Sequence, residues 1–146
     1  MNDRIRHAGL RDKRMSAEQA AALIRPGMTV AMSGFTGAGY PKAVPQALAA
    51  HIEQAHARGE EFRVKVMTGA STAPELDGVL ARAEGIELRL PYQSDPALRE
   101  RINAGELNYI DLHLSHVAQY TWFGYFGAVD VAVVEVSAIH EDGRLV

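Results

Sequence analysis

The stretch Met28-Thr29-Val30-Ala31-Met32-Ser33-Gly34-Phe35-Thr36-Gly37-Ala38-Gly39-Tyr40-Pro41-Lys42 decides how the chain is read. Its first five residues have the apolar, partly β-branched character of a short buried strand. Residues 43–58 follow as an amphipathic helix. Val44, Leu48 and Ile52 recur every four positions with Ala47 and Ala55 beside them, one apolar stripe to set against a sheet. Between strand and helix, three glycines permit a sharp turn and a backbone that offers its N–H groups. Such a unit belongs at the carboxyl edge of a parallel sheet, where open α/β folds bind ligands. Two familiar loops are excluded by spacing. Gly34 and Gly39 have the Walker separation, but Tyr40-Pro41 stand where Lys and Ser or Thr are required. Gly37-Ala38-Gly39 lacks the third glycine of the dinucleotide fingerprint. The loop suits an anionic or carbonyl-bearing ligand; on its letters alone, a tight turn needed only for packing suits it equally.

Outward from this unit the alternation of strand and helix repeats. Upstream, residues 1–15 are polar and without period, an arm expected to pack on something larger. Ser16-Ala17-Glu18-Gln19 has the form of a capping box and opens a helix through Ile24, ended by Pro26-Gly27. Downstream, Gly59 caps the long helix. Residues 62–68 form a second strand that delivers Gly69-Ala70-Ser71-Thr72-Ala73-Pro74, a second loop feeding a second helix through about Ala83. Residues 86–90 give a third strand. Asp95 and Pro96 start a short helix as N-cap and N1, ending near Gly105. Residues 109–126 mix histidine, aromatics and glycine without a clear period. Residues 129–136 are nearly all Val and Ala, the pattern of a strand covered on both faces. Glu141-Asp142-Gly143 turns the chain, and Arg144-Leu145-Val146 begins a returning strand.

This order implies an α/β domain over residues 16–146, preceded by the 1–15 arm. Its core is an open, mostly parallel, Rossmann-like sheet with helices on both faces and right-handed crossovers. Val30, Met32, Val44, Leu48, Ile52, Val64, Val66, Val131, Val133 and Ile139 are expected to be buried. Both loops follow parallel strands, so they are expected at the same edge of the sheet.

Composition narrows the function classes. The 146 residues are 47% hydrophobic and 23% charged, ordinary for a globular domain, and the formal net charge of -3 leaves no basic footprint for nucleic acid. With no cysteine, there are no disulfides and no thiolate metal sites. No apolar run approaches the roughly 20 residues that cross a bilayer. The first fifteen residues carry Arg4, Arg6, Arg11, Lys13 and Arg14 without an apolar core, unlike a secretory signal, and Asp3 and Asp12 argue against a mitochondrial leader. Cytoplasm is the expected compartment. His113 and His116 have the spacing of two ligands on one helical face, but no third ligand accompanies them, so no metal is expected.

With both loops in view, the chain resembles the N-terminal part of the acetyl-CoA hydrolase/transferase family, among the class I CoA-transferases. The residues that carry the likeness are Ser33 through Lys42 as quoted above, then Thr68-Gly69-Ala70-Ser71-Thr72, Arg101-Ile102-Asn103-Ala104-Gly105-Glu106, and the Val-rich strand leading to Glu141-Asp142-Gly143. The resemblance implies a CoA-transferase-like fold and a ping-pong exchange in which a glutamate attacks an acyl-CoA thioester and passes through a glutamyl-CoA thioester to a second carboxylic acid. It places that glutamate, the CoA pocket and most oxyanion contacts in a second domain beyond residue 146. The chain is then a truncated, inactive N-terminal half whose partners are acyl-CoA, a short carboxylic acid, the missing C-terminal domain and further copies in a homo-oligomer. Coenzyme A thioester enters as substrate, and no covalently bound cofactor is expected.

The resemblance also assigns site residues. Ser71 matches a serine beside the acyl or carboxylate group, with Gly69, Ala70 and Thr72 around it, and Gly34, Phe35, Thr36, Gly37, Ala38 and Gly39 match a segment near the same pocket. On its own letters, Ser71 reads as an N-cap for the second helix, and the family match is what turns it to a pocket role, with both at once as an option. Glu135 lies in an apolar strand, where a carboxylate needs a partner. An ion pair or pocket edge fits it better than the nucleophile, which the resemblance puts further along. Glu75 and Asp77 fit the favourable first turn of a helix, without chemistry. Arg99 and Arg101 read as a solvated helix face. Tyr120, Trp122, Phe123, Tyr125 and Phe126 read as core or interdomain surface, with stacking on adenine as the alternative. Hydrolysis in place of transfer, a non-catalytic acyl- or carboxylate-binding half-domain, and a docking module built on the aromatic stretch are the other readings.

Overall fold

The computed structural model describes residues 4–70 and 73–146. A single turn, α1 (Ala8–Arg11), and a short helix, α2 (Ala17–Ala21), precede the first strand, β1 (Thr29–Met32). The capping box forms as expected: Gln19 N–H donates to Ser16 Oγ at 3.2 Å, and Ser16 N–H to Gln19 Oε1 at 2.9 Å. The chain continues through α3 (Ala43–Ala57), β2 (Val64–Met67), a π-helical turn (Pro74–Gly78) running into α4 (Val79–Arg82), then β3 (Ile86–Leu90) and α5 (Pro96–Asn103). The stretch without a clear period resolves into β4 (Asn108–Tyr109) and α6 (Leu114–Trp122), after which β5 (Val131–Val133) completes the sheet. His113 is the N-cap of α6, its Nδ1 accepting from Ser115 N–H at 3.3 Å. Asp95 caps α5 as expected, accepting from Leu98 N–H at 3.1 Å.

All five strands are parallel, in the order β4-β3-β2-β1-β5. Successive steps from β1 to β4 move one way, so right-handed connections place their helices on one face. There α3, α4, α5 and the π-helical turn pack on one another, with α2 against α3. The return from β4 to β5 runs the other way and takes α6 to the opposite face. Leu48 and Ile52 of α3 lie fully buried over Val30, Val64 and Val66. Burying a side chain of this size contributes about 1.5–3 kcal/mol.

Under the helix layer sits a charged pair. Arg89 on β3 and Asp77 in the π-helical turn are both completely buried. Arg89 Nε and Nη2 donate to the two carboxylate oxygens of Asp77 at 2.8 and 3.1 Å; the same guanidinium bonds Thr68 Oγ1 at 2.8 Å and the Leu90 carbonyl. A register shift between Val64 and Lys65 turns Arg89 inward, opposite Val66. Asp77 is thus no mere first-turn acid.

Three further expectations change. β5 is shorter than residues 129–136 and is an edge strand, with Val131 and Val133 half-buried and Ala132 exposed, rather than covered on both faces. Val44 and Ile139 are also half-buried, while the other expected core residues are buried. Arg101 is not a solvated side chain: at 20% exposure it bridges Glu84 (3.3 Å) and Glu106 (2.9 Å), tying the ends of α4 and α5 together. Arg99 stays on the surface and donates to the Ser94 carbonyl at 3.0 Å. The returning strand forms a small hairpin with Ile139 opposite Leu145, and Ile5 of the arm pairs with Ile139 on its other side. No helix among the described residues is long and apolar enough to cross a membrane.

Asp77→Ala leaves a buried guanidinium without its counter-charge, and unfolding free energy should fall by about 3–5 kcal/mol in chemical denaturation. The double variant Asp77→Leu with Arg89→Met removes both charges and should recover most of that loss. A double variant no more stable than Asp77→Ala would show that the bonds to Thr68 and Leu90, not charge pairing, carry the effect.

Candidate functional site

Strand order reverses between β1 and β5, and the crevice at their carboxyl ends is where an open α/β sheet receives ligands. The glycine loop lies there. Phe35 and Ala38 exchange both backbone hydrogen bonds at 2.9 Å, and Thr36 and Gly37 between them have φ of 44° and 86°. Positive φ at both central residues makes this a two-residue hairpin of the I′ kind. The loop is therefore a stiff projecting ribbon with Phe35 exposed at its base, not an open cradle, because the Phe35 and Ala38 N–H groups are already bonded.

Ser33 sews the crevice together. Its N–H donates to the Val133 carbonyl, its hydroxyl donates to the Gly39 carbonyl at 2.6 Å, and the same oxygen accepts from Glu135 N–H at 2.9 Å. Lys42 Nζ reaches back across the crevice to Glu135 Oε1 at 2.8 Å, donates to the Tyr40 carbonyl at 3.0 Å and lies 4.1 Å from the centroid of the Tyr40 ring. Tyr40, itself buried, donates from its hydroxyl to Glu75 Oε2 at 2.9 Å. One chain of polar contacts thus joins the segments after β1, β2 and β5. Glu135 is held in an ion pair, as its apolar setting called for, and Glu75 gains a partner beyond the helix end. The Lys42–Glu135 pair is nearly half exposed, so it orders the site more than it stabilises the fold.

The second loop touches the first. A Cβ at Gly69 would lie 2.6 Å from the Gly34 carbonyl oxygen, so the two backbones approach as closely as glycine allows. Gly69 and Ala70 therefore share the carboxyl edge with Gly34; Ser71 and Thr72 lie outside the described residues. Two clefts lie elsewhere, one of about 590 Å³ between α2 and α3 lined by Glu18, Gln46 and His51, and one of about 390 Å³ between α4 and α5 lined by Arg82, Glu100 and Arg101. Among the described residues no group of three or more potential metal ligands assembles. The His113 and His116 rings meet at a tilt with centroids 5.7 Å apart, and His116 contacts the Tyr120 ring at 5.5 Å. Tyr120, Phe123, Tyr125 and Phe126 form one ring cluster. Trp122 is 88% exposed, and Phe123 and Tyr125 are mostly exposed. Tyr40 and Lys42 escaped the sequence reading as functional side chains; the only signal was their place directly after the third glycine.

The fold and its switch-point crevice define a domain of the open, parallel α/β class. The chain belongs to the acetyl-CoA hydrolase/transferase family, whose N-terminal-domain model matches residues 1–146. It is 46% identical over 143 residues to the succinyl-CoA:acetate CoA-transferase of Clostridium kluyveri, covering 98% of this chain and 26% of that protein. It is 45% identical over 132 residues to the propanoyl-CoA:succinate CoA transferase of Escherichia coli, covering 90% and 27%. The acetyl-CoA hydrolase of Yarrowia lipolytica is 35% identical over the whole chain, which spans 30% of that protein. The chain thus spans between a quarter and a third of the length of these relatives. The solved structure of RipA from Yersinia pestis shares the fold, with a TM-score of 0.61 at 19% identity over 86% of this chain and 30% of that one.

Two outcomes test this site. Gly69→Ala must push the loops apart against backbone on both sides, and thermal denaturation should register a loss of about 1–3 kcal/mol; unchanged stability would mean the loops separate freely. The second outcome concerns pH. Bonds from its own backbone N–H and from the Tyr40 hydroxyl hold the Glu75 carboxyl below its ordinary value. Its contribution is therefore present above that ordinary value, near pH 4.3, and lost as pH falls through the lowered one. Burial and the Glu75 bond raise the Tyr40 hydroxyl, and the bond to Glu135 raises Lys42. Their contributions are complete below about pH 10 and lost above it. Glu75→Gln should flatten the acid limb of a stability–pH curve; an acid limb as steep as the parent's would remove Glu75 from this account.

Proposed function

We propose that these residues form the N-terminal wall of an acyl-CoA:carboxylate CoA-transferase for short acids of the acetate and succinate type. The observation that carries the reading is the contact of the Gly34 and Gly69 backbones at the switch-point edge, in a chain of this family. The substrate-binding residues are Ser71 with Gly69, Ala70 and Thr72, and the ribbon Gly34, Phe35, Thr36, Gly37, Ala38 and Gly39. Their hydroxyl and N–H donors, apart from the Phe35 and Ala38 N–H groups bonded within the ribbon, would hold and polarise a carboxylate or thioester oxygen. No residue of this chain is assigned as nucleophile. Glu135 is matched by Lys42 and Glu75 by Tyr40, and the family resemblance puts the attacking glutamate beyond residue 146.

In the reaction, that carboxylate adds to the thioester carbonyl and expels CoA thiolate, leaving an acyl–glutamyl anhydride. The thiolate attacks the glutamyl carbonyl and releases the first acid, giving a glutamyl-CoA thioester. The second acid's carboxylate reverses the two steps and leaves with CoA. Hydrolysis is the second reading, favoured by the 35% identity to an acetyl-CoA hydrolase over the full chain; there water takes the acceptor's place. The coenzyme A thioester is substrate, with no covalently bound cofactor. The arm of residues 1–15 and the domain of residues 16–146 are the units of this wall. The exposed aromatics 122–126 and the half-open β5 edge face the C-terminal domain, since between Arg101 and Val146 no residue is fully buried. The complete enzyme is a cytoplasmic homo-oligomer.

Chromatographic resolution of succinyl-CoA, acetyl-CoA and free CoA tests the reading. Residues 1–146 alone should exchange no CoA between succinyl-CoA and acetate, while the longer protein should. In that longer protein Ser71→Ala should cost about 3 kcal/mol of transition-state stabilisation, lowering turnover about 100-fold without abolishing it. Steady turnover by residues 1–146 that Glu135→Gln removes would make Glu135 the nucleophile. Thioester loss without an acceptor acid, at the same rate as with one, would favour the hydrolase.

A further inference from the structure

Beneath the start of the second loop lies a buried relay of hydrogen bonds. Arg89 Nη2 donates to Thr68 Oγ1 at 2.8 Å, and the Thr68 hydroxyl donates onward to the Ala70 carbonyl at 3.1 Å, with the Gly69 carbonyl further away at 3.4 Å. Arg89 is fully buried, Thr68 is 6% exposed and Ala70 is 4% exposed, so water has little access to replace any of these partners. The guanidinium is locked in turn by two bonds to Asp77 and by the Leu90 carbonyl. The Thr68 backbone does not need its hydroxyl, because its N–H pairs with the Leu90 carbonyl at 3.2 Å. What the hydroxyl adds is a bond two residues forward, across a glycine that otherwise has wide conformational freedom. From outside, the Gly34 carbonyl limits the same glycine.

We propose that Thr68 is a positioning residue of the substrate wall. It carries the fixed position of Arg89 into the Gly69–Ala70 backbone, and so sets how that backbone meets a substrate carboxylate. The inference rests on the reading of this loop as a substrate wall. It assigns Thr68 no contact with substrate; its effect passes through the backbone. The hydroxyl, rather than threonine's shape, is the operative group.

The test uses the longer protein with its remaining domains, succinyl-CoA and acetate. Thr68→Val keeps the shape and removes the hydroxyl; kcat should fall about tenfold or more, as small misplacements of positioning groups do, while KM for succinyl-CoA stays within about twofold. Thr68→Ser restores the bond and should return kcat to within about threefold of the parent. Thr68→Ala gives a second reading free of any crowding between the valine methyl and the guanidinium. Hydrogen exchange should show faster exchange in the peptide containing Gly69 and Ala70 for both hydroxyl-free variants, with unchanged protection of the sheet. Parental kcat in Thr68→Val and Thr68→Ala, or a Thr68→Ser variant as slow as they are, overturns the assignment. Ser71→Ala in the same assay separates the causes. If it is impaired while the hydroxyl-free variants are not, only the role of Thr68 fails; if all keep parental turnover, the substrate-wall reading fails with it.

Discussion

The bidentate pairing of Arg89 with Asp77 is the constraint on which the rest of the domain depends. A guanidinium and a carboxylate with no exposure are tolerable only when each is bonded in full, and that requirement fixes several elements at once. The π-helical turn must present Asp77 inward, β3 must present Arg89 to the same side, and the end of β2 must bring Thr68 within reach. An apolar pair of equal volume would pack with less specification. The ionic version ties the sheet, the helix layer and the root of the second loop to one geometry, because a small displacement of any of them leaves a charge unmatched.

From that anchor outward, the carboxyl edge is built by close approach rather than by enclosure. Gly69 meets Gly34 with no room for a side chain, Ser33 joins the strands on either side of the switch point, and the Tyr40–Lys42–Glu135 contacts hold the ribbon against the crevice. These features produce an open wall. In the two-lobed enzyme proposed above, a facing surface would exclude water from it, with the polar groups already oriented. The exposed aromatic cluster and the half-open edge of β5 fit the same arrangement, since both leave apolar area that a second body would cover.

Much of this was legible before any coordinates. The capping box, the α3 stripe, the Asp95 cap and the two strand-to-loop junctions are local features, and each formed where periodicity and capping chemistry put it. Arg89 was not legible. Strict alternation along residues 86–90 groups Ile86, Leu88 and Leu90 on one face and turns Arg89 away, but the irregular register between Val64 and Lys65 moves Ile86 and Arg89 together. Arg101 looked solvated because one partner, Glu84, lies on another segment and the other, Glu106, comes within reach only through the turn that ends α5. The β5 region read as doubly covered because a Val/Ala run records how apolar the two faces are, not which body covers them.

The sequence by itself determined the class of the domain, the caps and apolar stripe of its helices α2, α3 and α5, the two loops and the family likeness they carry. All of these depend on residues near one another in the chain, through backbone preferences, capping bonds and side-chain period. Only the tertiary structure decided that the first glycine loop is a closed ribbon, that Gly34 and Gly69 touch, that Lys42 answers Glu135 across 93 residues, and that Thr68 stands between a buried arginine and the second loop. Those contacts depend on strand order and register. A parallel sheet sets these through crossovers between distant segments, and no local pattern encodes which residues the crossovers bring face to face.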